Sequence, residues 1–136
     1  MLERTELARL VDHTLLSPTA TAADVEALAA EAADLGTYSI CVSPSMLPLS
    51  FSPKVKVATV CGFPSGKHTP AAKAAEAAES VRNGVDEVDM VIDIGALKSG
   101  DATHTEDEIR AVRDACPAPF VLKGIIESAA LTDDEI

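Results

Sequence analysis

The sequence predicts an α/β fold, a parallel sheet whose strands are joined by helical crossovers. Three observations carry that reading. Strands start near residues 55, 87 and 120, each one strand–helix unit from the next, which is the period of a sheet with crossover helices. The strand segments are nearly continuous in apolar character, as strands covered on both faces should be. The segments between them carry apolar residues at helical spacing, with caps at their ends.

Residues 2–10 read as a short first helix, and Val11 to Leu16 as a compact strand. Thr21-Ala22-Ala23-Asp24 is a capping-box variant with Asp in place of Glu. The helix it opens places Val25, Leu28, Ala29, Ala32 and Leu35 on one side, and Gly36 stops it as a left-handed cap. Tyr38 to Val42 is a buried strand ended by Ser43-Pro44-Ser45. Met46 to Pro53 holds Pro48 and Pro53, so at most one helical turn fits there. Lys54 to Phe63 is the next strand, followed by a Gly62–Gly66 loop. Thr69 caps a helix with Pro70 at its first position, a favoured arrangement, and Gly84 closes it after Asn83. Glu87 to Ile94 is a third long strand, and Gly95 to Gly100 a short connection. Thr105-Glu106-Asp107-Glu108 is a full capping box for a helix ending near Cys116-Pro117, and Pro119 to Glu127 is a further strand. Thr132-Asp133-Asp134-Glu135 has the pattern of another cap with only Ile136 after it. It reads as the opening of a further helix in a longer fold, with a solvated tail as the plain alternative.

With 136 residues the chain accommodates one domain, 1–136. Apolar residues make up 47%, enough for a core, and much of that is alanine. Aromatics are 3% with no Trp, which argues against base-stacking platforms. The net charge of −11, from 11 basic and 22 acidic side chains, repels nucleic-acid phosphate and anionic membrane. A phosphorylated metabolite remains possible, because a local nest of backbone N–H groups suffices to bind it. Cys41, Cys61 and Cys116 are odd in number, widely spaced and without a C-x-x-C, so a reducing cytosol is expected rather than a disulfide framework or a zinc site. The Met1–Glu6 stretch lacks the apolar core of a signal peptide. No apolar run is long enough to span a bilayer.

The informative residues are charges inside strands. Asp89 lies mid-strand in Glu87–Asp93, and Lys123 mid-strand in Phe120–Glu127. A lone buried charge costs several kcal/mol, so each needs a partner. Consecutive strands usually neighbour each other, about 4.8 Å apart, so the two groups can face one another inside a barrel. Parity puts Asp89, Val91 and Asp93 on one face, and Val121, Lys123, Ile125 and Glu127 on one face of the next strand. Charges sharing a face with branched apolar residues suit a barrel interior with chemistry at its C-terminal end. A structural ion pair, or an edge strand facing water, is the plainer reading of the same pattern. Asp12, in Val11-Asp12-His13-Thr14, is a third polar group in an apolar setting, and read plainly it caps the following turn.

His13, His68 and His104 are far apart and flanked by loop residues, so they read as surface or capping groups rather than metal ligands. Cys41 and Cys61 sit in strands, where buried structural thiols are the default. Gly62-Phe63-Pro64-Ser65-Gly66-Lys67-His68 is not a phosphate-binding P-loop: it has three residues between its glycines rather than four, one of them proline, and His follows the Lys.

Five segments together resemble successive strand motifs of the 2-deoxyribose-5-phosphate aldolase family: Asp12-His13-Thr14-Leu15-Leu16, Cys41-Val42-Ser43-Pro44, Gly62–Gly66, Asp86–Val91 and Leu122-Lys123-Gly124-Ile125-Ile126-Glu127. They occur in the family's order and cover almost the whole chain. The resemblance implies a TIM (β/α)8 barrel, here as the N-terminal part of a single barrel domain with about five strands. It also implies a class I, Schiff-base lyase without metal or other cofactor. Such an enzyme reversibly cleaves 2-deoxyribose 5-phosphate to glyceraldehyde 3-phosphate and acetaldehyde, in cytoplasmic nucleoside catabolism. Its partners would be phosphorylated sugar and aldehyde substrates, with a homo-oligomeric assembly. By the same resemblance, the aspartate matching Asp89 relays protons, generally through water, and the groups matching Lys123 and Asp12 belong to the supporting polar network.

The family's Lys-Thr-Ser-Thr-Gly strand, which carries the Schiff-base lysine, is absent from this sequence, as are the later strand with its second lysine and the glycine-rich phosphate loops. The stretch from Leu47 to Pro53 looks shortened, Gly124 stands where a branched residue is usual, and Ala102 to Thr105 matches poorly. Burial would lower the pKa of Lys123 and a facing Asp89 would raise it. A paired ammonium has no lone pair, so Lys123 is not expected to replace the missing nucleophile. The alternative expectation is a catalytically silent barrel fragment that self-associates through its two open sheet edges. An open flavodoxin-type binding module would need a glycine-rich nucleotide loop, which the sequence lacks.

Overall fold

The computed structural model describes residues 2–136; Met1, the first residue of the polar N-terminal stretch, lies outside them. The chain runs α1 (Arg4–Ala8), β1 (Asp12–Leu15), α2 (Ala22–Leu35), β2 (Ser39–Val42), β3 (Lys56–Cys61), α3 (Pro70–Arg82), β4 (Glu87–Val91), α4 (Ile94–Lys98), α5 (Ala102–Ala115) and β5 (Val121–Ile125). Single 3-10 turns stand at Pro44–Met46 and Ser128–Ala130. All five strands join one parallel sheet in sequence order.

The expected caps form at α2 and α3. The Thr21 hydroxyl accepts from the Asp24 N–H at 3.3 Å, and the Asp24 carboxylate accepts from the Thr21 N–H at 2.8 Å. Gly36 closes α2 at φ +70°, a conformation that suits a residue without Cβ. Thr69 accepts from the Ala72 N–H at 3.2 Å, with Pro70 opening α3.

Elsewhere the boundaries differ from the sequence reading. The first helix is confined to α1. β4 ends at Val91, and the supposed connection contains α4, because the Asp93 carboxylate accepts from the Ala96 N–H at 3.0 Å and starts a helix. α5 begins a turn before the expected box, since Asp101 takes the capping role and accepts from the His104 N–H at 3.0 Å. That frees Glu108 from the helix end. Its buried carboxylate instead meets the Lys73 ammonium at 2.5 Å and accepts from the Asp93 N–H at 2.5 Å, tying α3, α5 and the end of β4 together. At Thr132 only half of the box forms, with the Thr132 N–H on the Glu135 carboxylate at 2.8 Å, and no helix follows.

The sheet has two faces. Ile40, Val42, Val57, Cys61, Val88 and Met90 pack outward against Val25, Leu28, Ala32, Ala77 and Val112 of the helices. Cys41, Ala58, Val60 and Leu16 form a smaller apolar cluster on the other face. In register, that inner face also carries Asp12, Ser39, Glu87, Asp89 and Lys123. In a flat sheet β1 and β5 would lie about 19 Å apart. The ammonium of Lys123 on β5 nevertheless hydrogen-bonds the carboxylate of Asp12 on β1. The sheet is therefore curled into an arc of barrel around that face. β2, β3 and β4 are buried as expected, whereas β1 and β5 are partly exposed because they are its edges.

Candidate active site

The inner face gathers four charged side chains. Asp89 and Lys123 are register partners on β4 and β5, and Lys123 Nζ lies 3.2 Å from Asp89 Oδ2. The same Nζ lies 2.7 Å from Glu87 Oε1 and donates a hydrogen bond to Asp12 Oδ2. Ser39, the register partner of Asp12 on β2, donates to Asp12 Oδ1 at 2.6 Å. Parity alone explains the convergence of Glu87, Asp89 and Lys123: alternate residues of neighbouring parallel strands project to one face. Curvature brings in Asp12.

Oxygens of Asp12, Glu87 and Asp89 lie within 4.8 Å of one another, close enough to share a cation. The Lys123 ammonium already sits against all three. Asp89 and Glu87 are buried, whereas the Lys123 side chain is 45% exposed, less covered than its mid-strand position suggests, because β5 is an edge.

One ammonium cannot neutralise three carboxylates, and the acids divide accordingly. Burial by itself would raise the pKa of Asp12, but hydrogen bonds from Lys123 and Ser39 outweigh it and hold the carboxyl below the usual range. Burial pushes Asp89 up, and the negative charges of Glu87 and Asp12 add to this. Lys123 pulls it back only in part, leaving Asp89 at about 7. Asp89 Oδ1 is buried without a hydrogen-bond partner. For Lys123, burial would lower the pKa, but the hydrogen bond to Asp12 and the close carboxylates of Glu87 and Asp89 overcome it and raise the amine above the ordinary lysine range. The face thus combines a permanent ammonium with a carboxyl poised to exchange a proton near neutral pH.

Cys41 lines the same face, and burial followed by the charges of Asp89 and Asp12 pushes its thiol up to about 12, so it stays neutral. All three cysteines are buried and free. His13 pairs with Glu31 at 3.0 Å, and His104 lies 4.0 Å from Asp93, both away from the cluster. A cavity of about 300 Å³ lined by Leu47, Phe51, Val55 and Asn83 lies beyond the N-terminal ends of β3 and β4 and shares no residue with the cluster.

The three residues singled out from the sequence, Asp12, Asp89 and Lys123, meet in space. Glu87 and Ser39 were missed. Glu87 had a readable signal, since it shares the parity of Asp89. Ser39 had none until the β1–β2 register was known.

The DeoC/LacD family aldolase profile matches residues 7–136. The chain is 60% identical over its full length to a deoxyribose-phosphate aldolase of Kocuria rhizophila and covers 62% of that protein. It is 57% identical to the deoxyribose-phosphate aldolase of Corynebacterium diphtheriae, again covering 62%. In three dimensions it is similar to a tetrameric deoxyribose phosphate aldolase of Aeropyrum pernix, with TM-score 0.84 and 30% identity over 98% of this chain and 57% of that one. It also matches an aldolase designated QR15, with TM-score 0.88 and 31% identity over 96% of this chain and 59% of that one. The chain spans about six tenths of the length of the curated relatives it matches. The aligned length, the five-stranded arc and the convergent charges agree: this chain belongs to the DeoC/LacD family of aldolases.

Proposed function

We propose that residues 1–136 are the N-terminal part of one deoxyribose-phosphate aldolase barrel, and that their inner face serves a Schiff-base lysine supplied by the rest of that barrel. The observation that carries this reading is the burial of Asp89 beside Glu87 and Asp12, only partly offset by Lys123, which leaves Asp89 able to take and release a proton near pH 7. In the cleavage direction, an uncharged lysine amine adds to the aldehyde carbon of 2-deoxyribose 5-phosphate and loses water to give an iminium ion. The C3 hydroxyl then gives up its proton, the C2–C3 bond breaks, and its electron pair moves into the iminium as an enamine. Glyceraldehyde 3-phosphate leaves. The enamine takes a proton at C2, and hydrolysis releases acetaldehyde and the free amine. Asp89 suits the proton transfers, directly or through a water. Lys123 and Asp12 support it, Lys123 as a fixed positive charge and Asp12 as that charge's anchor.

A cytoplasmic role in nucleoside catabolism is proposed with the same substrate assignment. Homo-oligomerisation is proposed by analogy with the tetrameric Aeropyrum pernix aldolase. The test is release of glyceraldehyde 3-phosphate from 2-deoxyribose 5-phosphate by a protein carrying this chain together with the remaining barrel strands. Asp89→Asn should cut turnover by roughly 10²- to 10⁴-fold, the usual worth of a general acid–base group. Undiminished turnover in that variant would reject the assignment of Asp89.

A second reading, a silent self-associating fragment, is supported by the unpaired edges of β1 and β5. It predicts that the 136-residue chain alone sediments as an oligomer and shows no cleavage. Turnover near ~10 s⁻¹, an ordinary enzyme rate, by that chain would rule it out.

A further inference from the structure

Glu87 is 2% exposed, yet it bears a carboxylate on a face that already holds Asp12 and Asp89. Adding a third buried acid to two others is costly unless a cation compensates it, and Lys123 is the cation within reach. Glu87 stands two residues before Asp89 on β4, one layer nearer the N-terminal end of the strands, and Asp12 stands at the start of β1. Lys123 is the direct register partner of Asp89, so the shortest excursion of its side chain would be to that carboxylate. Instead the ammonium leans toward the other two: it hydrogen-bonds Asp12, lies 2.7 Å from Glu87, and stands off Asp89 at 3.2 Å.

We propose that Glu87 is a positioning residue that, together with Asp12, draws the Lys123 ammonium toward the N-terminal end of the inner face and off Asp89, leaving one buried Asp89 oxygen open to a substrate or water proton. The unpartnered Asp89 Oδ1 is that open oxygen; Glu87 Oε1, also buried without a hydrogen bond, faces the ammonium as a charge at 2.7 Å. With Glu87 neutral, one of the two carboxylates holding the ammonium is lost. Lys123 then moves to its register partner, and Asp89 becomes an ordinary salt-bridged acid with no proton to offer near neutrality. The ionisable groups near Asp89 are Asp12 on β1, Cys41 on β2, Cys61 on β3, Glu87 on its own strand and Lys123 on β5. Both thiols stay neutral through the working range, so the balance rests on the other three.

This deepens the aldolase reading, but its test does not use turnover. The Asp89 carboxyl carbon is followed by ¹³C NMR across neutral pH in the native chain, in Glu87→Gln and in Glu87→Asp. The native midpoint should fall near 7. In Glu87→Gln the acid should strengthen by about tenfold or more, one pKa unit or greater. Repeating Glu87→Gln in a Lys123→Met background separates positioning from simple repulsion, because without the ammonium nothing is left to position. Positioning predicts that most of the shift disappears there; repulsion alone predicts that it persists. A shift of equal size in both backgrounds overturns the proposal, and so does an unmoved midpoint in Glu87→Asp, which keeps the charge but retracts it by one methylene, should the Glu87→Gln variants not fold. A shifted midpoint beside an inactive completed barrel would uphold Glu87 while the aldolase reading fails. The converse result would sink Glu87 alone.

Discussion

Asp89 and Lys123 face each other across the β4–β5 ladder at 3.2 Å, yet the acid is pushed up to about 7 and the amine also upward. A simple ion pair would lower the acid. The departure arises chiefly because Asp89 is buried, and the charges of Glu87 and Asp12 beside it add to the effect. The sign of the pH dependence follows. An acid with a folded pKa above its unfolded value binds its proton more tightly when folded, so its ionisation costs stability as pH rises from about 4 to about 7. Asp89→Asn should therefore raise the urea midpoint at about pH 8 and change it little at about pH 4, a prediction that denaturation at the two pH values checks. Asp12 works in the opposite sense: its lowered pKa gives stability that is present above the unfolded carboxylate range and lost as pH falls through the folded value.

Lys73 and Glu108 are fully buried partners, and Glu108 also holds the Asp93 N–H. Removing one partner strands a buried charge. Lys73→Met or Glu108→Gln should each cost about 3–5 kcal/mol, whereas the two combined should cost less than their sum, because no lone buried charge remains and the new amide oxygen still accepts from the Asp93 N–H. Urea unfolding of the three variants gives the comparison. Near-additive losses in the double variant would contradict a pair.

Lys123→Met leaves Asp12, Glu87 and Asp89 without their shared cation. The loss of stability should be larger at about pH 8 than at about pH 5, because protonation relieves carboxylate repulsion at the lower value. Equal losses at both would mean that the lysine contributes packing rather than charge.

Gly66 and Gly100 both have positive φ, +69° and +83°, but different surroundings. A Cβ on Gly66 would stand 2.0 Å from the Ile92 carbonyl oxygen, whereas one on Gly100 would meet nothing. Gly100→Ala should cost about 1 kcal/mol through its backbone conformation alone. Gly66→Ala should cost distinctly more, because the loop after β3 must also withdraw from the end of β4. Thermal melts of the two variants rank them.

The parallel sheet was legible because buried strands and crossover helices impose periods of 2 and 3.6, and the pairing of Asp89 with Lys123 followed from mid-strand charges on consecutive strands. What the sequence left hidden depended on competition between equivalent local signals. Asp93 can end a strand or cap a helix, and it caps. Thr105 and Asp101 both suit a helix start, and Asp101 takes it, which turns Glu108 from a capping group into the partner of Lys73. The contact of Asp12 with Lys123 needed the curvature of the whole sheet, which no local pattern encodes.

Lys123 is a held ammonium rather than a nucleophile. Incubation of the chain with acetaldehyde and borohydride, followed by peptide mapping, reads this directly, since reduction fixes any lysine that has formed an imine. No ethyl adduct is expected on the peptide containing Lys123 at neutral pH. A near-stoichiometric adduct there would contradict it.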